Sequence, residues 1–263
     1  MNDNGSLQAP NDADLWAALR RLTAARIGLP RSGASLATAP LLALKLAHAQ
    51  ARDAVHAELD LVRLTGDLGQ ANLPVLTVSS AAADKQTYLM RPDLGRRLTP
   101  DSEAALAPHA GDFDLAFVIS DGLSARAAQA HAAPVIAAAR AAMSEKALRI
   151  APVVIVRHGR VAAGDAVARL LRANCVAMLI GERPGLSAPD SLGAYLTWRP
   201  GAHASDADRN CISNIRPDGI GYADAGFKLA HLFNAMRNRG ESGVGLKDTF
   251  DRLPIDAPPQ QVR

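Results

Sequence analysis

From about residue 111 onward, short apolar runs alternate with Ala-rich segments, and this alternation limits the possible folds more than any other feature of the chain. DLAFVIS (114–120) reads as a strand, and DGLSARAAQAHAAPVIAAARAAM as a turn followed by a helix. APVVIVRHG opens with a strand, GDAVARLLRA reads as a helix, and NCVAMLI and YLTWRP read as further strands. After a long polar loop, ADAGFKLAHLFNAMRNRG forms a closing amphipathic helix. Apolar runs of this length, set between helical segments, predict an α/β fold with a Rossmann-like parallel sheet covered by helices. In such sheets ligands bind beyond the carboxyl ends of the strands. The rule selects four loops: Ser120-Asp121-Gly122, Arg157 to Asp165, Gly181 to Leu186, and Arg199 to Ile215.

The first part of the chain has a different texture. Residues 1–11 are polar and read as a disordered lead-in, and residues 12–100 as an N-terminal helical region ahead of an α/β domain at 101–263. Asn11 or Asp12 is placed to cap a helix DADLWAALRRLTAARIGL, with Leu15, Leu19, Leu22 and Ile27 near one face and Gly28 and Pro30 stopping it. LLALKLAHAQARDAVHAELD reads as a second helix and LPVLTVSS as a short strand. QTYLMRPDLGRRLTP reads as an irregular connection whose Arg91, Arg96 and Arg97 suit subunit contact or loop anchoring, or equally a solvated basic loop.

Several function classes fall away. A net charge of +3 is too small to argue for nucleic acid. The two cysteines, Cys175 and Cys211, lack zinc or disulfide-framework spacing. The N-terminus has no apolar signal region, and no apolar run reaches membrane-spanning length, so the chain reads as soluble and intracellular. IGERPGL and GIGYADAGF miss the dinucleotide fingerprint, and GESGVGLKD misses the phosphate-loop pattern. The seven histidines are scattered, and no nucleophile, base and orienting acid occur at recognisable spacing. No catalytic or metal-ligating residue is assigned.

One stretch resists a plain structural account. MLIGERPGLSAPDSLGAYL begins as a buried strand and then sets Glu182 and Arg183 on a loop held by Gly181, Pro184 and Gly185. As residues alone, Glu182 serves equally as a surface partner of Arg183 or Arg199. Cys211 reads as an inert thiol and Val161 as ordinary packing, while Asp121 reads as the cap of the helix after it.

RPDLGRRL (91–98), SDGLSARA (120–127), IGERPGLSAPDSLGAYLTW (180–198) and RNCISNIRPDG (209–219), with LTAARIGLPRSG and AHAQARDAVHAELD (47–60), resemble the small subunit of ethanolamine ammonia-lyase across residues 12 to 250. The resemblance implies a partner, the large barrel subunit, with six copies of each chain. It implies conversion of ethanolamine to acetaldehyde and ammonia with adenosylcobalamin, the catalytic residues lying on the large subunit. The small subunit then encloses the cofactor at the interface, and its contacts carry over to Val161 in RHGRVAAGD, Glu182 in IGERPGL and Cys211 in RNCISNI. On that reading Glu182 accepts amide N–H groups of the corrin arms, Val161 covers apolar edge and Cys211 offers a small polarizable surface. DxHxxG is absent, which with the resemblance implies base-on binding. No membrane or nucleic-acid partner is expected. Family members carry a longer N-terminal extension when targeted to a bacterial microcompartment; with eleven polar residues ahead of the first helix, the chain reads as cytoplasmic, with enclosure left open. The alternative is a stand-alone α/β module binding a nucleotide or small molecule, which would need no partner chain.

Overall fold

The computed structural model describes residues 12–70, 73–143 and 148–247, so the expected lead-in at 1–11 lies outside the described residues. The chain begins with α1 (Asp12–Arg20), a small hairpin β1 (Arg31–Ser32) and β2 (Ser35–Leu36), then α2 (Thr38–His56) and α3 (Leu61–Gly69). It continues through β3 (Val75–Ser79), α4 (Lys85–Met90), α5 (Pro92–Gly95) and α6 (Pro100–Leu106). The remainder is β4 (Phe113–Ser120), α7 (Ala125–Ala142), β5 (Val153–Arg157), α8 (Val161–Leu171), β6 (Ala173–Gly181), β7 (Leu192–Trp198), β8 (Arg209–Ile215) and α9 (Tyr222–Arg239).

The N-terminal third is more broken than its sequence suggests. The first helix stops at Arg20, ahead of Gly28 and Pro30, and Leu15, Leu19 and Leu22 are exposed. The supposed irregular connection, QTYLMRPDLGRRLTP, holds two short helices, α4 and α5, and α6 begins at its last residue. Asp84 caps α4 by accepting from Thr87 N, and Thr99 caps α6 by accepting from Ser102 N.

Six strands form one sheet in the order β3-β5-β4-β6-β7-β8. The first four run parallel, whereas β7 and β8 run antiparallel to their neighbours, a departure from the all-parallel expectation. The reason is the connection. Only ten residues separate β6 from β7, too few for the helical crossover that parallel pairing needs, so the chain folds straight back. The edge strand β3 comes from before residue 101, so the sheet extends into the region read as helical.

Side chains along the central strands alternate between two cores, as the pleat requires. Leu115, Phe117 and Ile119 of β4, with Cys175, Ala177 and Leu179 of β6, face α3, α7 and α9. Ala116, Val118, Val176, Met178 and Ile180 face α6 and α8 instead. With both faces covered, the strands read as unbroken apolar runs. The chain leaves β4 through α7 on one face and β5 through α8 on the other. These two strands are neighbours, so a crevice opens between their carboxyl ends.

Candidate functional site

Three of the four loops singled out by the sheet-edge rule converge at this end. Asp121, following β4, is only 5% exposed, and it does not cap α7; Ser124 does, accepting from Ala127 N. Asp121 instead accepts from His158 N at 2.8 Å and Ser120 Oγ at 3.1 Å, and Lys85 Nζ lies 3.5 Å from its other oxygen. Lys85 also donates to the Gly122 carbonyl at 2.8 Å, and burial holds its pKa below the usual lysine value. A cavity of about 340 Å³ opens here, its lining shared between polar residues, among them Lys85, Asp121, Arg157 and His158, and apolar ones such as Leu59 and Leu61.

A second cavity, about 470 Å³, lies beside it at the end of β6. Tyr88, Leu123, Arg160, Val161, Ile180, Gly181, Glu182, Arg183 and Tyr195 line it. Val161 is the first residue of α8, not part of a loop, and packs partly against the core beneath that helix. Glu182 directly follows β6. Its carboxylate accepts from Ser191 Oγ, from Ser213 Oγ at 2.5 Å and from Asn214 N at 3.2 Å, while its own N–H donates to Ser191 O at 2.9 Å. The surface pairing with Arg183 or Arg199 does not form; Ser191, just ahead of β7, with Ser213 and the Asn214 N–H of β8, holds the carboxylate in place. Gly181 is obligatory at this corner, because a Cβ there would sit 2.1 Å from Ser124 O.

Cys211 is not on a loop either. It is an exposed residue within β8, directly opposite Tyr195 of β7. Local desolvation pushes the Cys211 thiol and the Tyr195 hydroxyl above their usual pKa values; the nearby Glu182 charge adds to the rise. Val161 and Glu182 therefore share a cavity, and Cys211 stands outside its lining, beside Tyr195. The fourth loop divides. Trp198 pairs with Cys175 near the start of β6, so residues 199–208 lie at the opposite end of the sheet, and only the end of β8 returns to the cavity.

The sequence reading missed Tyr88 and Arg160. Tyr88 is 1% exposed, with Lys85 Nζ 5.1 Å and the Arg160 guanidinium 4.6 Å from its ring centre, and burial pushes its pKa up to about 12. Arg160 carried a signal in retrospect. A cation at the N-cap of a helix opposes the helix dipole, so it is retained there for another reason.

A helix-covered α/β sheet with cavities beyond the carboxyl ends of its parallel strands defines a protein of the doubly wound α/β class. The chain belongs to the ethanolamine ammonia-lyase light chain family, whose model matches residues 13–247. It is 51% identical over 243 residues to the ethanolamine ammonia-lyase small subunit of Xanthomonas campestris pv. campestris (strain ATCC 33913), covering 91% of this chain and 89% of that one. The small subunit of Ralstonia nicotianae is 50% identical over 246 residues, covering 92% and 91% of the two chains. That of Azotobacter vinelandii is 48% identical over 253 residues, covering 95% and 94%. Among the described residues, no helix is long and apolar enough to cross a membrane.

Proposed function

We propose that this chain is the small subunit of an ethanolamine ammonia-lyase, and that it closes one side of an adenosylcobalamin site against a large catalytic subunit. The observation that carries the reading is the cavity of about 470 Å³ at the end of β6, with Val161 and Glu182 on its wall. The large subunit is the partner, with six of each chain in the assembly. Ethanolamine becomes acetaldehyde and ammonia on the large subunit, and the present chain supplies no catalytic residue.

The residues fit the cofactor's chemistry. Corrin is ringed by primary carboxamide arms, neutral groups that both donate and accept. The Oε1 atom of Glu182 takes a hydrogen bond from Ser213, which leaves it a further acceptor site for an amide N–H. Val161 and Leu123 offer apolar surface to the ring edge. Cys211 lies beside Tyr195 as its cross-strand neighbour and offers the small polarizable surface there. When bound, adenosylcobalamin would supply the radical chemistry of the reaction. The work of this chain is to hold the cofactor and exclude water. The assembly functions in the cytoplasm or within a bacterial microcompartment.

Titration of adenosylcobalamin into the large subunit with and without this chain tests the reading. Tight binding is expected only when both are present, and this chain alone should turn over no ethanolamine. Equal affinity without it, or turnover by it alone, would overturn the proposal.

A further inference from the structure

Arg160 is built into the cavity wall with donors to spare. Its backbone N–H donates to Gly95 O at 2.7 Å, and its Nη2 donates to Tyr88 O at 3.0 Å. The guanidinium also rests on the Tyr88 ring. Among the described residues, Nη2 is the one guanidinium nitrogen with an acceptor, and Nε is buried without a partner. Nε is closed off from the cavity, so Nη1, which has no acceptor and is not buried, is the guanidinium donor left to meet a ligand atom.

The neighbourhood is shaped to keep the side chain there. Gly95, in the RPDLGRRL stretch, approaches so closely that a Cβ on it would lie 3.0 Å from Arg160 Cγ and 3.1 Å from His158 O. Asp93 of the same stretch holds Arg91 through two hydrogen bonds, at 2.9 and 2.8 Å, and pairs with Arg97 at 3.5 Å. Arg91 and Arg97, read from sequence as subunit contacts, loop anchors or part of a solvated basic loop, both pair with Asp93 of α5, the element that backs Arg160, and both remain exposed.

We propose that Arg160 and Glu182 together recognise one corrin propionamide arm, the guanidinium donating to its carbonyl oxygen and the Glu182 carboxylate accepting from its N–H₂. This inference rests on the cobalamin reading and adds the residue and the ligand group. The charges on the wall favour a neutral amide over a phosphate: a phosphate drawn to Arg160 would stand in the same cavity as the Glu182 carboxylate, whereas an amide matches both.

The test uses the reconstituted two-subunit complex, with binding followed by absorbance. Arg160→Met keeps the apolar stem over Tyr88 and removes the donors. It should weaken both adenosylcobalamin and dicyanocobinamide, which lacks the nucleotide and its phosphate, by about tenfold or more. Loss for adenosylcobalamin alone would assign Arg160 to the phosphodiester and overturn the inference. A second measurement leaves the protein unmutated. Of the cobalamins with a single propionamide hydrolysed to propionate, one should bind about tenfold more weakly than the amide, and Glu182→Gln should shrink that penalty. Equal binding of every propionate derivative would overturn the inference while leaving the cobalamin reading intact. A wild-type complex that bound no cobalamin would overturn both.

Discussion

Arg209 Nη1 lies 2.7 Å from Asp165 Oδ1 with both side chains 4% exposed, so that the pair fastens edge strand β8 to helix α8 across β7. Thr197 Oγ1 takes a second bond from the same nitrogen at 3.2 Å. Desolvation is the largest influence on Asp165 and holds its pKa above the usual carboxylate value, so the pair is maintained by geometry and not by solvation. Removing one partner strands the other charge in the interior, a loss of about 3–5 kcal/mol. Arg209→Met is therefore expected to be severely destabilising in urea unfolding of the purified chain. The double variant Asp165→Leu, Arg209→Met should recover most of that loss, and a double variant no better than the single one would refute this account.

Gly181 and Gly185 flank the same loop yet differ sharply. A methyl group at Gly181 would meet the Ser124 and Asp121 carbonyls at 2.1 and 2.6 Å, whereas at Gly185 the nearest atom is 3.8 Å away. Gly181→Ala is expected to destabilise by about 1–3 kcal/mol through forced backbone shifts. Gly185→Ala should stay within about 0.5 kcal/mol of wild type. Thermal unfolding of the two variants side by side decides it.

Glu182→Gln keeps the shape but not the charge. Gln offers one acceptor oxygen where two carboxylate oxygens now receive Ser191, Ser213 and Asn214. At least one donor loses its partner, at a cost of about 1–3 kcal/mol in stability. Adenosylcobalamin affinity of the complex should fall by about tenfold, while turnover at saturating cofactor falls much less. Unchanged affinity with collapsed turnover would assign Glu182 a direct catalytic role instead.

Cys211 should alkylate sluggishly with iodoacetamide at pH 8. Cys211 is exposed, so access does not limit the reaction; local desolvation, with the Glu182 charge added, holds the thiol above the ordinary cysteine value, so the reactive thiolate grows in only at higher pH. The sign for Glu182→Gln follows: with that charge gone the midpoint moves down and the rate at pH 8 rises. Cys175, fully buried, should remain unmodified in the folded chain. A Cys211 midpoint below pH 8 in the wild type would contradict this geometry.

The central sheet and its helices were legible because each decision was local. DLAFVIS, VVIVR and NCVAMLI are β-rich runs between Ala-rich segments, and strands buried on both faces need only to be apolar. The corner at Gly181-Glu182 was visible for the same reason: a strand end with a carboxylate and helix-hostile neighbours stands out in one dimension. The second edge strand was not legible. RNCISNI alternates weakly and carries two asparagines, and it becomes a strand because β7 beside it has unpaired backbone groups to satisfy.

The sequence by itself determined the class of fold, the strand ends around which the cavities form and, through long stretches in order, the family. Tertiary structure alone decided which polar groups meet. Arg160 stands 72 residues from the Tyr88 carbonyl that anchors it, and Glu182 stands 31 from the Ser213 hydroxyl that steadies it. Such pairings depend on strand order and on the direction in which each strand runs. Those are set by how the packed layers close, a property no local pattern of residues encodes.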